Sequence, residues 1–477
     1  MSTIASRWID YGVMVWAIII SALVFGLMHN YAFDDPFITY RYAANLANDQ
    51  GLVYNPGLQV LSTTALLYAL FLSPFAALGL PLPLVGVLLG SLGLGTCAVA
   101  LWYLAKLSHA PVAGAMLSLL LPLSPLLLAT LGAETVLVIA LVLWGLLLAW
   151  QGRVGLAGLL IGLATLTRPD AILAVAVIGL LLLTRYGLDP TLRFAVVVML
   201  VITPVILATW WYFGAPLPTT LQTKQSQAYM ADSQSFLEGL GRYLVSLGRS
   251  PGFWPLLVLA PLGLSTALTR PGPLNLVLLW SLLHVLAYTL LGVTAYFWYF
   301  APAITGLVVA AALGAQWLVE RLRVLLGRRA TAGLIAVGTT MVLFTHLQSV
   351  SVLAQADDLR LQIYRPAGQW LAANTSPDAQ VGALEVGIIG FYAERPMVDF
   401  AGLIQPDVAA VFRAGGDYYD AARYALARYQ PAYVVNQETL FPLLSADPTL
   451  ATACHEVASF PDPRAATPLQ IFQCIWE

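Results

Sequence analysis

Long apolar runs separated by short polar breaks fill the first 350 residues. A run of roughly 20 apolar residues is long enough to cross a bilayer as a helix. Spans are predicted near 11–33, 84–105, 111–131, 135–150, 154–167, 171–184, 193–213, 253–270, 274–293, 299–318 and 331–350. One further run, Thr63 to Gly79, is ambiguous. Basic residues decide it, because Lys and Arg concentrate in cytoplasmic loops. If this run lies along or dips into the outer interface, Arg7, Lys106, Arg153, Arg185, Arg193 and Arg270 fall inside, and so does the group Arg321, Arg323, Arg328 and Arg329. If it crosses, almost all of them except Arg7 move outside. The pattern therefore predicts eleven spans in a multi-pass plasma-membrane protein, N-terminus cytoplasmic and C-terminus exoplasmic.

After about residue 350 the pattern changes. Val381-Gly382-Ala383-Leu384-Glu385-Val386, Met397-Val398-Asp399-Phe400 and Tyr433-Val434-Val435-Asn436 read as short buried strands, alternating with helical stretches at 358–373 and 417–429. The expected organisation is a transmembrane module, 1–350, and an exoplasmic α/β domain, 351–477. Outer loops are expected at 34–61 and 214–252. Within the second, Phe236, Leu237, Leu240, Tyr243, Leu244 and Leu247 recur at helical spacing. They predict a helix lying on the membrane or packed under the outer domain. Cys454 and Cys474 sit in two predicted strands joined by a turn-rich segment, Pro461 to Pro468, which favours an antiparallel pair. Such a pair brings the cysteines together for a disulfide; two buried thiols that never meet are the other reading.

Composition agrees with the span pattern. Hydrophobic residues make up 59% and charged residues 10%, against roughly 25% charged in soluble domains. A net charge of −2 without a basic cluster argues against a nucleic-acid partner. No small-residue cleavage site follows the first apolar run, so an uncleaved first span is expected. Three cysteines without a Cys-x-x-Cys and five scattered histidines speak against a zinc site.

Charges beside the spans are the candidates for chemistry, since charges there are costly and usually functional. Asp34 and Asp35 directly follow the first span. Asp35 precedes Pro36 and suits a helix N-cap, running into a helix to about Asn48 with Arg41 on its polar side. Asp34 has no such structural reason. Three more loci fall on the same predicted outer side: Glu134 in a turn, Arg168 and Asp170 at a hairpin tip, and Lys224 in the loop after the seventh span. Each arm of that hairpin holds only about 14 residues, roughly 21 Å of helix, which leaves room for the tip to sit below the outer surface. A helix cap would also account for Glu134, an internal ion pair for Arg168 and Asp170, and solvation for Lys224.

The first loop reads Phe33-Asp34-Asp35-Pro36-Phe37-Ile38, then Tyr40-Arg41-Tyr42-Ala43, then Gly51-Leu52-Val53-Tyr54-Asn55-Pro56-Gly57. It resembles the first outer loop of GT-C glycosyltransferases, closest to the cell-wall arabinofuranosyltransferase branch. Gly132-Ala133-Glu134-Thr135, Thr167-Arg168-Pro169-Asp170-Ala171 and Leu217-Pro218-Thr219-Thr220-Leu221-Gln222-Thr223-Lys224 extend the resemblance. The last departs most from the branch pattern, lacking its Asn and aromatic pair. Trp298 to Pro302 occupies the place of an aromatic-rich outer turn, which an aromatic belt explains equally well. In the tail, Glu385 to Phe391 and Asp399 to Leu403 match two further elements of the branch.

The resemblance implies transfer of a sugar from a polyprenyl-phosphate donor to an acceptor hydroxyl of a cell-surface glycan, lipid or protein, with inversion. Asp34 is then the expected base, with Asp35 beside it. Arg168, Arg41 and Lys224 are the expected phosphate ligands, supported by Glu134, Asp170, Tyr54 and Asn55. A Mg²⁺ or Mn²⁺ could be held by Asp34, Asp35 and Glu134, though nothing in the sequence requires a metal. The main alternative is a polyprenyl-phosphate transporter or flippase. Transporters usually place charges near the midplane and repeat their halves, and neither feature is evident. A non-catalytic glycan-binding scaffold is the third reading, and the Asp pair speaks against it.

Overall fold

The computed structural model describes residues 3–230, 233–355, 359–439, 441–446 and 448–476. Among them, seven helical runs are long and apolar enough to cross a membrane: Arg7–Met28, Leu82–Leu107, Pro169–Tyr186, Leu188–Phe213, Pro251–Thr269, Leu274–Leu291 and Phe297–Ala354. The last breaks at Gly327, whose φ of 77° is a left-handed conformation that a side chain resists. Exposed Arg321, Arg323, Arg328 and Arg329 flank the break, which is the basic turn expected between the last two spans. Three shorter apolar helices, Pro111–Leu123, Thr135–Trp150 and Val154–Thr167, fall on the remaining expected spans. The run expected at 111–131 is interrupted at Leu120 and resumes at Pro125. Pro122 and Pro125 each lack an N–H and crowd the preceding turn.

Near the N-terminus the boundaries differ from expectation. The first helix runs Thr3–Met28 rather than 11–33, and the chain turns before the helix Asp35–Ala47. Asp35 is not the N-cap. Asp34 holds the cap position without a side-chain cap bond, and Asp35 is the first helical residue. Arg41 does not lie on a polar face either, since this helix buries most of its surface and Arg41 is only 4% exposed. The ambiguous run forms a helix, Leu66–Ala77, of 12 residues. That is about 18 Å long, too short for a hydrocarbon core of about 30 Å. It packs against Asp35–Ala47.

The helix expected from the spacing of Phe236 to Leu247 is Phe236–Gly248, started by a reciprocal bond between Ser235 and Glu238. Its buried face meets Tyr288 and Phe300, while Leu237 and Val245 are exposed.

The tail carries a five-stranded sheet: β1 (Val381–Ala383), β2 (Met397–Asp399), β3 (Tyr433–Asn436), β4 (Cys454–Phe460) and β5 (Leu469–Cys474). Its order is β2-β1-β3-β5-β4. The first three strands are parallel, and β5 runs antiparallel to both β3 and β4. Helices Leu359–Asn374 and Tyr418–Tyr429 match the two expected ones, residue 358 lying outside the described residues. Cys454 pairs with Cys474 across β4 and β5, and the two form a disulfide. One apolar cluster runs from Phe37, Tyr40 and Tyr54 of the first loop into Ile363, Ile388 and Met397 of the tail.

Sidedness has a direct test. Residues 34–61, 214–252 and the tail are expected on one side of the membrane, with Arg153 and Arg321 on the other. An impermeant thiol reagent should label cysteines placed in the first set, in intact cells. Labelling of a cysteine at position 153 from outside would overturn the proposed orientation.

Candidate active site

Five charged side chains converge where the first loop, two helix turns and the loop after Phe213 meet. The turn before Thr135–Trp150 is shaped by Gly132, at φ 95°. Its carbonyl accepts hydrogen bonds from the hydroxyls of Tyr40 (2.7 Å) and Tyr68 (3.0 Å). Glu134 stands at the cap position of that helix but makes no side-chain cap bond. Its carboxylate lies 3.8 Å from the Arg168 guanidinium instead. Burial raises the Glu134 carboxyl above the usual range, and Arg168 partly offsets it.

Arg168 sits in extended backbone between the helices Val154–Thr167 and Leu173–Tyr186. It is 5% exposed. Its Nε donates to Asp170 at 3.0 Å and its Nη1 to the Thr135 hydroxyl at 3.1 Å. Among the described residues, its Nη2 is buried without a hydrogen-bond partner. Asp170 in turn accepts from the Tyr288 hydroxyl at 2.7 Å, and His284 lies 3.8 Å away. The internal ion pair is therefore real, yet it leaves one guanidinium nitrogen unused.

Lys224 is carried by the helix Thr219–Gln227 and is 4% exposed. Its Nζ stands 3.8 Å from Asp35 and over the rings of Tyr296 (4.3 Å), Trp298 (4.8 Å) and Tyr299 (5.5 Å). Such faces attract a cation. Burial disfavours the ammonium, but Asp35 and Tyr299 outweigh it and hold the proton on.

Asp35, Glu134, Arg168, Asp170 and Lys224 all line one cavity of about 250 Å³. Hydroxyls of Thr39, Ser62, Thr63, Thr64 and Thr220 line it too, with Trp298 and Tyr299. The exposed lining residues are apolar: Pro169, Ile172, Leu217, Leu221 and Leu291. The mouth is therefore a greasy crevice, with Glu134, Arg168, Asp170 and Lys224 behind it and Asp35 the most exposed of the five charges.

Four expected site residues are elsewhere. Asp34 is not in the cavity; it accepts hydrogen bonds from the backbone N–H groups of Gly387 (2.9 Å) and Ile388 (2.7 Å). Arg41 donates to the carbonyls of Tyr54, Gly390 and Arg395. The Tyr54 hydroxyl donates to the Val386 carbonyl. Asn55 exchanges two bonds with the backbone of Met397, at 2.8 and 2.9 Å. These residues tie the first loop to the tail and do not line the cavity. The carboxylates of Asp34, Asp35 and Glu134 do not converge, and no group of three His, Cys, Asp or Glu placed to hold a metal occurs among the described residues.

Among the polar residues of the site that went unread in the sequence are Tyr288 and His284. Both are buried within the apolar helix Leu274–Leu291, and a polar group inside such a run was the available signal.

The Asp34 contact should respond to pH. Burial, and then Glu385, push its carboxyl up to about 8, while the two N–H groups pull the other way. In an unfolded chain such a group titrates near 3.9. Between those values the docked state holds a proton that the undocked one lacks, so docking gains below about pH 4 and loses that gain by about pH 8. Hydrogen exchange at Gly387 and Ile388, corrected for intrinsic rates, should show protection falling across that window. Asp34→Asn should flatten the response. A flat response in the unmodified protein would contradict the assignment.

Fold and site together define a polytopic helical membrane protein of GT-C-like fold with a small C-terminal α/β domain. Two crystal structures of ArnT from Cupriavidus metallidurans share this fold. The apo form superposes with a TM-score of 0.62 at 15% identity, covering 98% of both chains. The form bound to undecaprenyl phosphate gives 0.61 at 16%, covering 97% of this chain and 98% of that one. A family described as a domain of unknown function, DUF8728, matches residues 354–472. No curated protein matches the sequence.

Proposed function

We propose that this protein is a membrane glycosyltransferase that moves a sugar from a polyprenyl-phosphate donor to an acceptor hydroxyl, with inversion, on the exoplasmic face. The observation that carries the reading is the cavity itself. Two buried cations, one with an unused N–H donor, stand beside three carboxylates at the end of an apolar crevice. Undecaprenyl phosphate bound to a protein of the same fold supports that choice of donor.

In this reading the prenyl chain lies between Ile172, Leu217, Leu221 and Leu291. The phosphate meets Arg168 and Lys224, and the sugar faces the hydroxyl wall and Trp298. Asp35, rather than Asp34, takes the acceptor proton, because its carboxylate is the one that lines the cavity. The acceptor oxygen bonds to the anomeric carbon as the bond from that carbon to the phosphate oxygen breaks. The electron pair leaves on the phosphate, where the two fixed cations stabilise the developing charge. Asp170, Tyr288 and Glu134 hold the Arg168 side chain in place. The sequence pattern favours an arabinofuranosyltransferase-like enzyme of the cell envelope, acting on a glycan, lipid or protein acceptor.

The test uses purified protein and a panel of synthetic polyprenyl-phosphate sugars. Free polyprenyl phosphate should be released with at least one of them, and Arg168→Gln should lower that release by about 10²–10³, the scale of losing one transition-state donor. Lack of release from every donor, together with no binding of undecaprenyl phosphate, would sink the proposal. Mass spectrometry of surface glycans from a deletion strain would then identify the sugar.

A further inference from the structure

The helix Thr219–Gln227 is gripped from the tail in a regular way. Thr219, Thr223 and Gln227 stand four residues apart and share one face. They face three successive carbonyls running backwards along a tail loop: Thr219 stands 3.3 Å from Leu403 but shares its one hydroxyl proton with Leu61 at 3.1 Å, Thr223 donates to Gly402 (3.1 Å), and Gln227 donates to Ala401 (3.0 Å). That loop is wound about Asp399, which is fully buried. The Asp399 carboxylate accepts N–H bonds from Ala401 (2.8 Å), Leu403 (2.6 Å) and Ile404 (3.2 Å). On the opposite side, the backbone N–H of Thr219 donates to the Leu61 carbonyl, and the Thr220 hydroxyl to the Ser62 carbonyl. Lys224, the residue after Thr223, is about 100° round the helix and enters the cavity.

We infer that Asp399 and the stripe Thr219, Thr223 and Gln227 are positioning residues for Lys224. The tail then serves as one jaw of the donor-phosphate site, not as a separate acceptor module. An unfastened helix would be free to turn or slide, and a rotation of a few tens of degrees would carry the ammonium away from Asp35 and its three rings. The carboxylate acts at one remove: it shapes three carbonyls, the carbonyls fix a helix face, and the helix aims a cation. This inference rests on the proposed donor site.

The experiment measures equilibrium binding of radiolabelled undecaprenyl phosphate to the full-length protein in detergent. Lys224→Ala should weaken binding and sets the reference. Asp399→Asn puts an N–H₂ group among N–H donors and should weaken binding about tenfold. The double variant Thr223→Val with Gln227→Met should do the same, while Thr223→Ser, which keeps the hydroxyl, should bind normally. In the Lys224→Ala background neither change should weaken binding further; a merely structural role would add its loss there too. If Asp399→Asn does not fold, the Thr223 and Gln227 variants carry the test alone. Normal binding by Thr223→Val with Gln227→Met, beside a weakened Lys224→Ala, overturns the positioning role only. Normal binding by Lys224→Ala overturns the phosphate site and this role with it.

Discussion

Asp35→Asn is expected to slow sugar transfer by about 10²–10⁴, the usual share of a positioned general base, with the protein folded and donor binding within a few-fold of normal. The carboxylate lines the cavity and is 40% exposed, so its loss leaves no buried charge uncompensated except Lys224, 3.8 Å away. Asp34→Asn should keep most of the activity. An amide preserves the shape of the side chain and can still accept one of the two N–H bonds from the tail. The contrast is what matters, because the two residues are neighbours and only one of them faces the cavity. Single-turnover transfer by both variants, compared with undecaprenyl phosphate binding, separates chemistry from binding. A greater loss at Asp34 would return the base to the residue that the sequence favoured.

Arg41→Met should damage stability rather than donor affinity. The side chain is buried and gives its N–H groups to three backbone carbonyls, two of them in the tail. The Tyr54 carbonyl keeps the Asn45 amide (2.9 Å) and the Gly390 carbonyl keeps the Glu394 N–H (3.2 Å), so the Arg395 carbonyl is the one left bare. A buried carbonyl without a partner costs roughly 1–3 kcal/mol, and a loss of about that size is expected. Methionine fills most of the volume, which keeps the cavity penalty small. The readouts are a lowered midpoint of thermal unfolding and faster proteolytic release of the tail. Whatever protein remains folded should bind undecaprenyl phosphate normally. A stable variant that no longer binds would show that Arg41 acts as a phosphate ligand.

Why the sequence read Arg168 and Lys224 together but misplaced Arg41 and Asp34 is a matter of direction. Apolar run lengths and basic turns foretell where helices cross and which turns share an end; Glu134 and Arg168 sit in such turns, and Lys224 in the short helix that follows the span ending at Phe213. Within one helical turn, however, neighbouring side chains diverge by about 100°. Asp34 and Asp35 therefore point to different partners, and no local pattern says which of them meets a cavity. Arg41 depended on residues near 390, far along the chain. The tail strands were legible as short apolar runs, and the antiparallel pairing that the sequence favoured for the two cysteine segments is the one that forms, with the disulfide across it. The hydroxyl wall at Ser62 to Thr64 was not, because its shape comes from long-range bonds: the Tyr42 hydroxyl to Ser62 (2.9 Å) and Thr39 to Thr63 (2.9 Å). Threonines and serines in a loop carry no signal of that kind by themselves.

The bonds between the first loop and the tail also set an order of assembly. Residues 34, 41 and 55 find their partners at 387, 390 and 397, so this loop is completed only by a part of the chain synthesised much later. Throughout biogenesis, while the intervening helices enter the bilayer, the buried guanidinium of Arg41 and the carboxylate of Asp34 must stay hydrated or be held by a chaperone. The cavity cannot close in a nascent chain either, since Leu403 forms part of its wall. Translation arrested before the tail should therefore leave an inserted but inert protein, and activity should begin only when the C-terminal domain docks.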